Sequence, residues 1–109
     1  MQKTRSPSIV NQQPTTNMRI IGYIEHPTLK ITVFKDGGRV SIKLENGMYE
    51  QVYKFRDGSG VENLAEATSF ADAEFIQEVQ KTFSFMHRSK MQGHDRQSVA
   101  EEDEFDEII

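Results

Sequence analysis

Cysteine is absent from the 109 residues, and proline occurs only three times. Without cysteine the chain forms no disulfide and no thiolate zinc site, a composition that fits a reducing compartment, so a cytoplasmic location is expected. No apolar run approaches the ~20 residues that span a bilayer, so no membrane association is expected. Lys3 and Arg5 near the N-terminus are followed by no apolar stretch of the kind a secretory signal requires. Catalytic patterns are also missing. The histidines His26, His87 and His94 contain no i, i+4 pair for a helical metal site, and no phosphate-binding glycine loop, G-x-S-x-G elbow or H-E-x-x-H occurs. Glu74 and Glu78 share a helical face, but a lone carboxylate pair is ordinarily solvated. His26, ahead of Pro27, reads as a turn residue. The chain reads as a non-enzyme with no cofactor and no metal.

What is present begins with turn spacing. Four segments of alternating apolar character follow one another: Met18–Ile24, Leu29–Lys35, Arg39–Glu45 and Met48–Phe55. Asp36-Gly37 and Asn46-Gly47 lie between the later pairs. Such dipeptides tolerate the positive φ angles of tight hairpin turns. Glu25-His26-Pro27-Thr28 makes the first turn, because Pro27 cannot donate to a ladder. Two-residue loops at Asp36-Gly37 and Asn46-Gly47 pair Val33 with Val40, Ile31 with Ile42, Leu44 with Tyr49 and Val40 with Tyr53. The first turn sets Ile24 against Leu29 and Ile20 beside Val33. All three turns then gather Ile20, Ile24, Leu29, Ile31, Val33, Val40, Ile42, Leu44, Tyr49 and Tyr53 on one face.

After the loop Arg56–Gly60 the period changes. Val61–Ala67 reads as a short helical turn. Ser69, three residues before Asp72, resembles a capping box. Phe75, Ile76, Val79, Phe83 and Met86 recur at helical spacing, and Gly93 is a plausible stop. The expected fold is α+β: a four-stranded antiparallel meander followed by one C-terminal helix packed on one face. Residues 1–17 are expected to be a flexible segment, 18–93 the domain, and 94–109 an acidic flexible tail. A globule of this length, about 75 residues, often relies on a partner or on self-association.

The second face of that sheet is predicted to carry Arg19, Ile21, Tyr23, Lys30, Thr32, Phe34, Arg39, Ser41, Lys43, Glu45, Glu50, Val52 and Lys54. Residues 18–56 hold seven basic against four acidic groups, whereas residues 94–109 hold one against seven. Cations interleaved with rings suit a single-stranded nucleic acid, since cations neutralise phosphates and rings stack on bases. The expected contacts are Arg19, Tyr23, Lys30, Phe34, Arg39, Lys43 and Lys54, with Tyr23 and Phe34 stacking. The same apolar groups also suit a homodimer interface. The terminal run from Glu101 to Ile109 combines six carboxylates with Phe105, Ile108 and Ile109, as a peptide docking on a basic, pocketed protein would. That run also suits competition with nucleic acid for the basic sheet, or plain solubilisation.

Four antiparallel strands and a helix over residues 18–92 resemble the Whirly, Pur-alpha and transcriptional-coactivator group of single-strand nucleic-acid-binding domains, which implies dimerisation and binding on the sheet. Residues 101–109 look like the acidic tips of single-strand-binding proteins, which implies recruitment of replication and repair partners; those tips often end in an aromatic residue, whereas here Ile108-Ile109 stand. The stretch from Ile20 to Phe55 is also similar to small uncharacterised bacterial and phage proteins. The expected function is a small single-stranded nucleic-acid-binding protein with a partner-recruiting tail. The alternative is a protein-interaction adaptor, phage-borne on that likeness, using the open face as a dimer seam.

Overall fold

Strand formation here is settled by where side chains intercept the backbone at turns. The structure is a computed structural model and describes residues 18–108, with side chains as far as residue 99. The expected segment 1–17 and the last residue, Ile109, lie outside the described residues. Four strands, β1 (Met18–Ile24), β2 (Lys30–Asp36), β3 (Arg39–Glu45) and β4 (Glu50–Lys54), form one antiparallel sheet in the order β1-β2-β3-β4. Two helices follow, α1 (Leu64–Phe70) and α2 (Ala73–Ile108). The chain divides into two compact units between Asp72 and Ala73.

All three hairpins differ from the expected register. At the first turn the His26 ring Nδ1 accepts hydrogen bonds from the Thr28 and Leu29 amides at 3.2 and 3.1 Å. Leu29 is thereby kept out of the ladder, and Ile24 pairs with Ile31 instead. At the third turn Asn46 Oδ1 accepts from the Met48 and Tyr49 amides at 3.1 and 2.9 Å. This Asx-type capture lengthens the loop to four residues, so Glu45 pairs with Glu50 and Leu44 with Gln51. At the second turn the loop is Gly37-Gly38, with Gly37 at φ 64°. Asp36 stays in the ladder opposite Arg39, an opposite-charge pair beside the turn, and Val33 pairs with Ile42.

Each of these displacements moves a partner by two residues, so the face assignment of β2, β3 and β4 survives. Ile31, Val33, Val40, Ile42 and Leu44 are fully or almost fully buried, joined by Leu29 and Val61. Tyr53 donates its hydroxyl to Gln51 Oε1 at 2.5 Å on the same side.

β1 behaves differently. Ile20 pairs with Phe34 and Gly22 with Val33, leaving Ile21 as an extra residue in a bulge. Gly22 lies under α1: a Cβ there would sit 2.5 Å from Leu64 Cδ2. A glycine in a strand interior commonly marks such a bulge or close approach. Helix α1 is held in place by its N-cap, with Asn63 Oδ1 accepting from the Glu66 amide at 2.8 Å and Glu66 Oε1 accepting from the Glu62 amide at 2.7 Å. Its far end meets β4, where Phe55 and Phe70 stack edge to face with ring centroids 4.8 Å apart. Lys35 Nζ donates to the Glu62 carbonyl at 3.0 Å and ties the intervening loop to β2.

The capping box expected at Ser69 is not formed as such, because Ser69 falls inside α1 and Asp72 directly precedes α2. Within α2, Ile76, Val79 and Phe83 are buried and Phe75 and Met86 half-buried, the expected stripe. The helix does not stop at Gly93 but continues to Ile108, so the backbone of residues 94–108 is helical rather than an extended tail. Gly93 costs about 1 kcal/mol relative to alanine, too little to end a helix flanked by good helix formers. From His87 to Val99 no described residue is buried.

The contact of Gly22 with Leu64 is testable. Gly22→Ala is expected to lower unfolding free energy by about 1–3 kcal/mol through displacement of α1. In a Leu64→Ala background the same change is expected to cost much less, because the space exists. Urea denaturation of the four variants checks this, and additive losses would contradict the contact.

Candidate nucleic-acid interface

The open face of the sheet follows from the register. Reading across from β1 to β4, one row is Tyr23, Thr32, Lys43 and Val52. The next is Ile20, Phe34, Ser41 and Lys54. Beyond it lie Met18, Asp36 and Arg39, and at the opposite end Lys30, Glu45 and Glu50.

One expected contact leaves this surface. Arg19 pairs with Lys35, on the side of Ile31 and Val33, because the bulge at Ile21 inverts the first three residues of β1. The same inversion brings Ile20, expected in the core, onto the open face at 50% exposure. Together with Met18, Tyr23 at 59% and Val52 at 47%, it makes this face more apolar than the sequence pattern suggested.

The remaining expected residues fall into two groups. Lys43 lies 5.6 Å from the Phe34 ring centroid and 4.0 Å from Glu45 Oε1, so its charge is already engaged. Its ladder partner is Val52 rather than the expected Glu50. Lys30 stands opposite Glu45, which itself stands opposite Glu50. That end of the face therefore holds two cations, Lys30 and Lys43, against two carboxylates, and it offers a phosphate no excess positive charge.

The other end is different. Arg39, Lys54 and Arg56 converge on a depression of about 360 Å³, lined also by Met18, Asp36, Ser41 and Phe55. Among the described residues, none of the three cations makes an ion pair or a side-chain hydrogen bond. Arg39 and Lys54 were expected at the interface. Arg56 and Ser41 were not named as contacts, although Arg56 shares the even parity of Lys54 and that parity was the available signal. Phe55, on the opposite parity, is fixed from below by Phe70 and by its amide bond to the Val40 carbonyl at 2.9 Å, which locates Lys54 and Arg56 on either side of it.

Of the expected partner-docking residues, Phe105 and Ile108 lie in the last turns of α2 by backbone, while their side chains, like all of Ile109, lie outside the described residues. Among the described residues no group of three histidine, cysteine or acidic side chains could hold a metal ion. No described helix is long and apolar enough to cross a membrane. No protein-family model, curated protein or solved structure matches the chain.

The inverted segment of β1 makes a stability contrast. Ile20→Ser is expected to change unfolding free energy by no more than about 0.5 kcal/mol, as at other exposed positions. Ile42→Ala is expected to cost about 2–5 kcal/mol. A loss at Ile20 comparable with that at Ile42, measured by denaturant titration, would place Ile20 back in the core.

Proposed function

We propose that the protein is a non-enzymatic module that binds single-stranded nucleic acid on the open face of its sheet. The observation that carries this reading is the group of three cations, Arg39, Lys54 and Arg56, gathered with the single carboxylate Asp36 around one depression, none of the three in an ion pair among the described residues, at the end of a face that also exposes Tyr23. Phosphates of a strand would enter at the cationic end, and its bases would run over Phe34 and Ile20 toward Tyr23, where stacking contributes about 1–3 kcal/mol per base. Arg19 has no part in this path. Lys30 and Lys43 contribute little, because carboxylates offset them. The acidic end of α2, from Glu101 to Glu107, would present its charge on a helix to a basic partner protein, a helix-in-groove mode rather than an extended peptide.

A second reading has an observation of its own. Met18, Ile20, Tyr23 and Val52 are exposed on the same face, an apolar grouping that suits pairing with a second copy.

Titration of the full chain with a fluorescent oligothymidylate separates the two. Binding at low salt should weaken with a log–log slope of roughly −2, as three neutralised phosphates on a single strand require. Tyr23→Ala should weaken binding about tenfold. An absence of binding at low salt, with a concentration-dependent mass in sedimentation that Ile20→Glu abolishes, would replace the nucleic-acid reading with self-association.

A further inference from the structure

Ser41 is a polar residue beside the depression. It sits in the middle of the open face, between Phe34 on β2 and Lys54 on β4, yet it is only 8% exposed. Ser41 lines the depression, and among the described residues its side chain makes no hydrogen bond. Its hydroxyl is thus available as a neutral donor beside the space that Arg39, Lys54 and Arg56 surround.

The charge of that space is specific as well. Three cations and the carboxylate of Asp36 leave two positive charges in excess. A backbone phosphodiester carries one negative charge. A terminal phosphate monoester carries about −1.5 to −2 at neutral pH and offers three strong acceptor oxygens. Two arginines supply planar, multi-donor forks suited to such an oxyanion, with Lys54 as a point charge and Ser41 as a neutral donor at the floor. Asp36 is the only carboxylate among the lining residues, and its charge opposes crowding by further phosphates. The depression is thus matched to one dianion.

We infer that this depression is a seat for the terminal phosphate of a nucleic-acid strand, held by Arg39, Lys54, Arg56 and the Ser41 hydroxyl, so that the protein engages phosphorylated strand ends in preference to strand interiors. The inference rests on the nucleic-acid reading above and narrows it. The exposed apolar groups at Ile20 and Tyr23 then receive the first bases next to that end. Whether the end is 5′ or 3′ is a matter of strand direction across the sheet, and the two chemistries are otherwise alike.

The test compares three short oligothymidylates of equal length on the full chain: one with a 5′ phosphate, one with a 3′ phosphate, and one with hydroxyls at both ends. One phosphorylated strand is expected to bind about tenfold or more tightly than the unphosphorylated strand, the effect of two or more charge-assisted hydrogen bonds. Ser41→Ala is expected to reduce that preference while leaving the affinity for the unphosphorylated strand within about threefold, whereas Arg56→Gln is expected to erase the preference and also to weaken the unphosphorylated strand, by a smaller factor than it weakens the phosphorylated one. Neither change removes a core apolar group, and circular dichroism establishes that the variants are folded. Equal affinity for all three strands would overturn the end-phosphate seat and leave the strand-binding reading standing. If no oligonucleotide binds but inorganic pyrophosphate shifts the Ser41 and Arg56 amide resonances, the anion seat stands and strand binding falls. If pyrophosphate shifts neither resonance and no strand binds, both are overturned.

Discussion

The two-residue alternation of a β-strand governs everything on the open face. A displacement of pairing by two residues leaves each side chain on its side of the sheet, whereas a displacement by one inverts it. Both kinds occur here. His26 and Asn46 use side-chain acceptors to capture the amides that would otherwise open the next strand, and the Gly37-Gly38 loop retains Asp36 in the ladder. These are local interactions of modest energy, each near 1 kcal/mol. They set register, and the apolar core accepts the result because the faces are unchanged. Ile31, Val33, Val40, Ile42 and Leu44 are buried under either pairing scheme.

The bulge in β1 is the displacement by one. It follows from a packing constraint rather than a turn. Leu64 at the start of α1 occupies the space above residue 22, which only glycine leaves free, and the strand takes up the mismatch by extruding Ile21. The consequence reaches the open face of the sheet. Arg19 leaves the open face, Ile20 and Met18 join it, and the cationic character retreats from β1 to the β3–β4 end.

This explains which parts of the molecule were legible in the sequence. The strands, their order and the core of β2 and β3 rest on alternation over several residues, a signal redundant enough to survive three register errors. The stripe Ile76, Val79, Phe83 was legible for the same reason at the helical period. What was not legible depended on single tertiary contacts. Gly22 inside a strand was a visible sign of irregularity, but its partner Leu64 lies 42 positions on. Gly93 looked like a helix end because glycine often terminates helices, yet a glycine without a left-handed conformation merely weakens one. Of the expected contacts, Tyr23, Lys30, Phe34, Arg39, Lys43 and Lys54 lie on the open face, as parity placed them, and Arg19 does not. Arg56, which lines the depression, was not singled out because it lies just beyond the last strand, where the ladder has stopped.

The distribution of charge along the strands argues for where a ligand would sit. Lys30, Glu45 and Glu50 face one another at one end, and Lys43 is drawn to Glu45 and to the Phe34 ring. A uniformly basic sheet would hold a strand anywhere along it, by phosphates alone. On this face the Glu45–Glu50 end offers no excess of positive charge, because Lys30 and Lys43 are balanced there by two carboxylates. On the proposed reading, binding strength would be concentrated at Arg39, Lys54 and Arg56, and the apolar residues between the two ends would contribute only where a ligand anchored there extends inward. Such a surface would discriminate by what occupies its cationic end, since the rest of the face adds no net positive charge for further phosphates. The charge pattern and the Ser41 side chain, which makes no hydrogen bond among the described residues, both belong to the same depression beside Lys54.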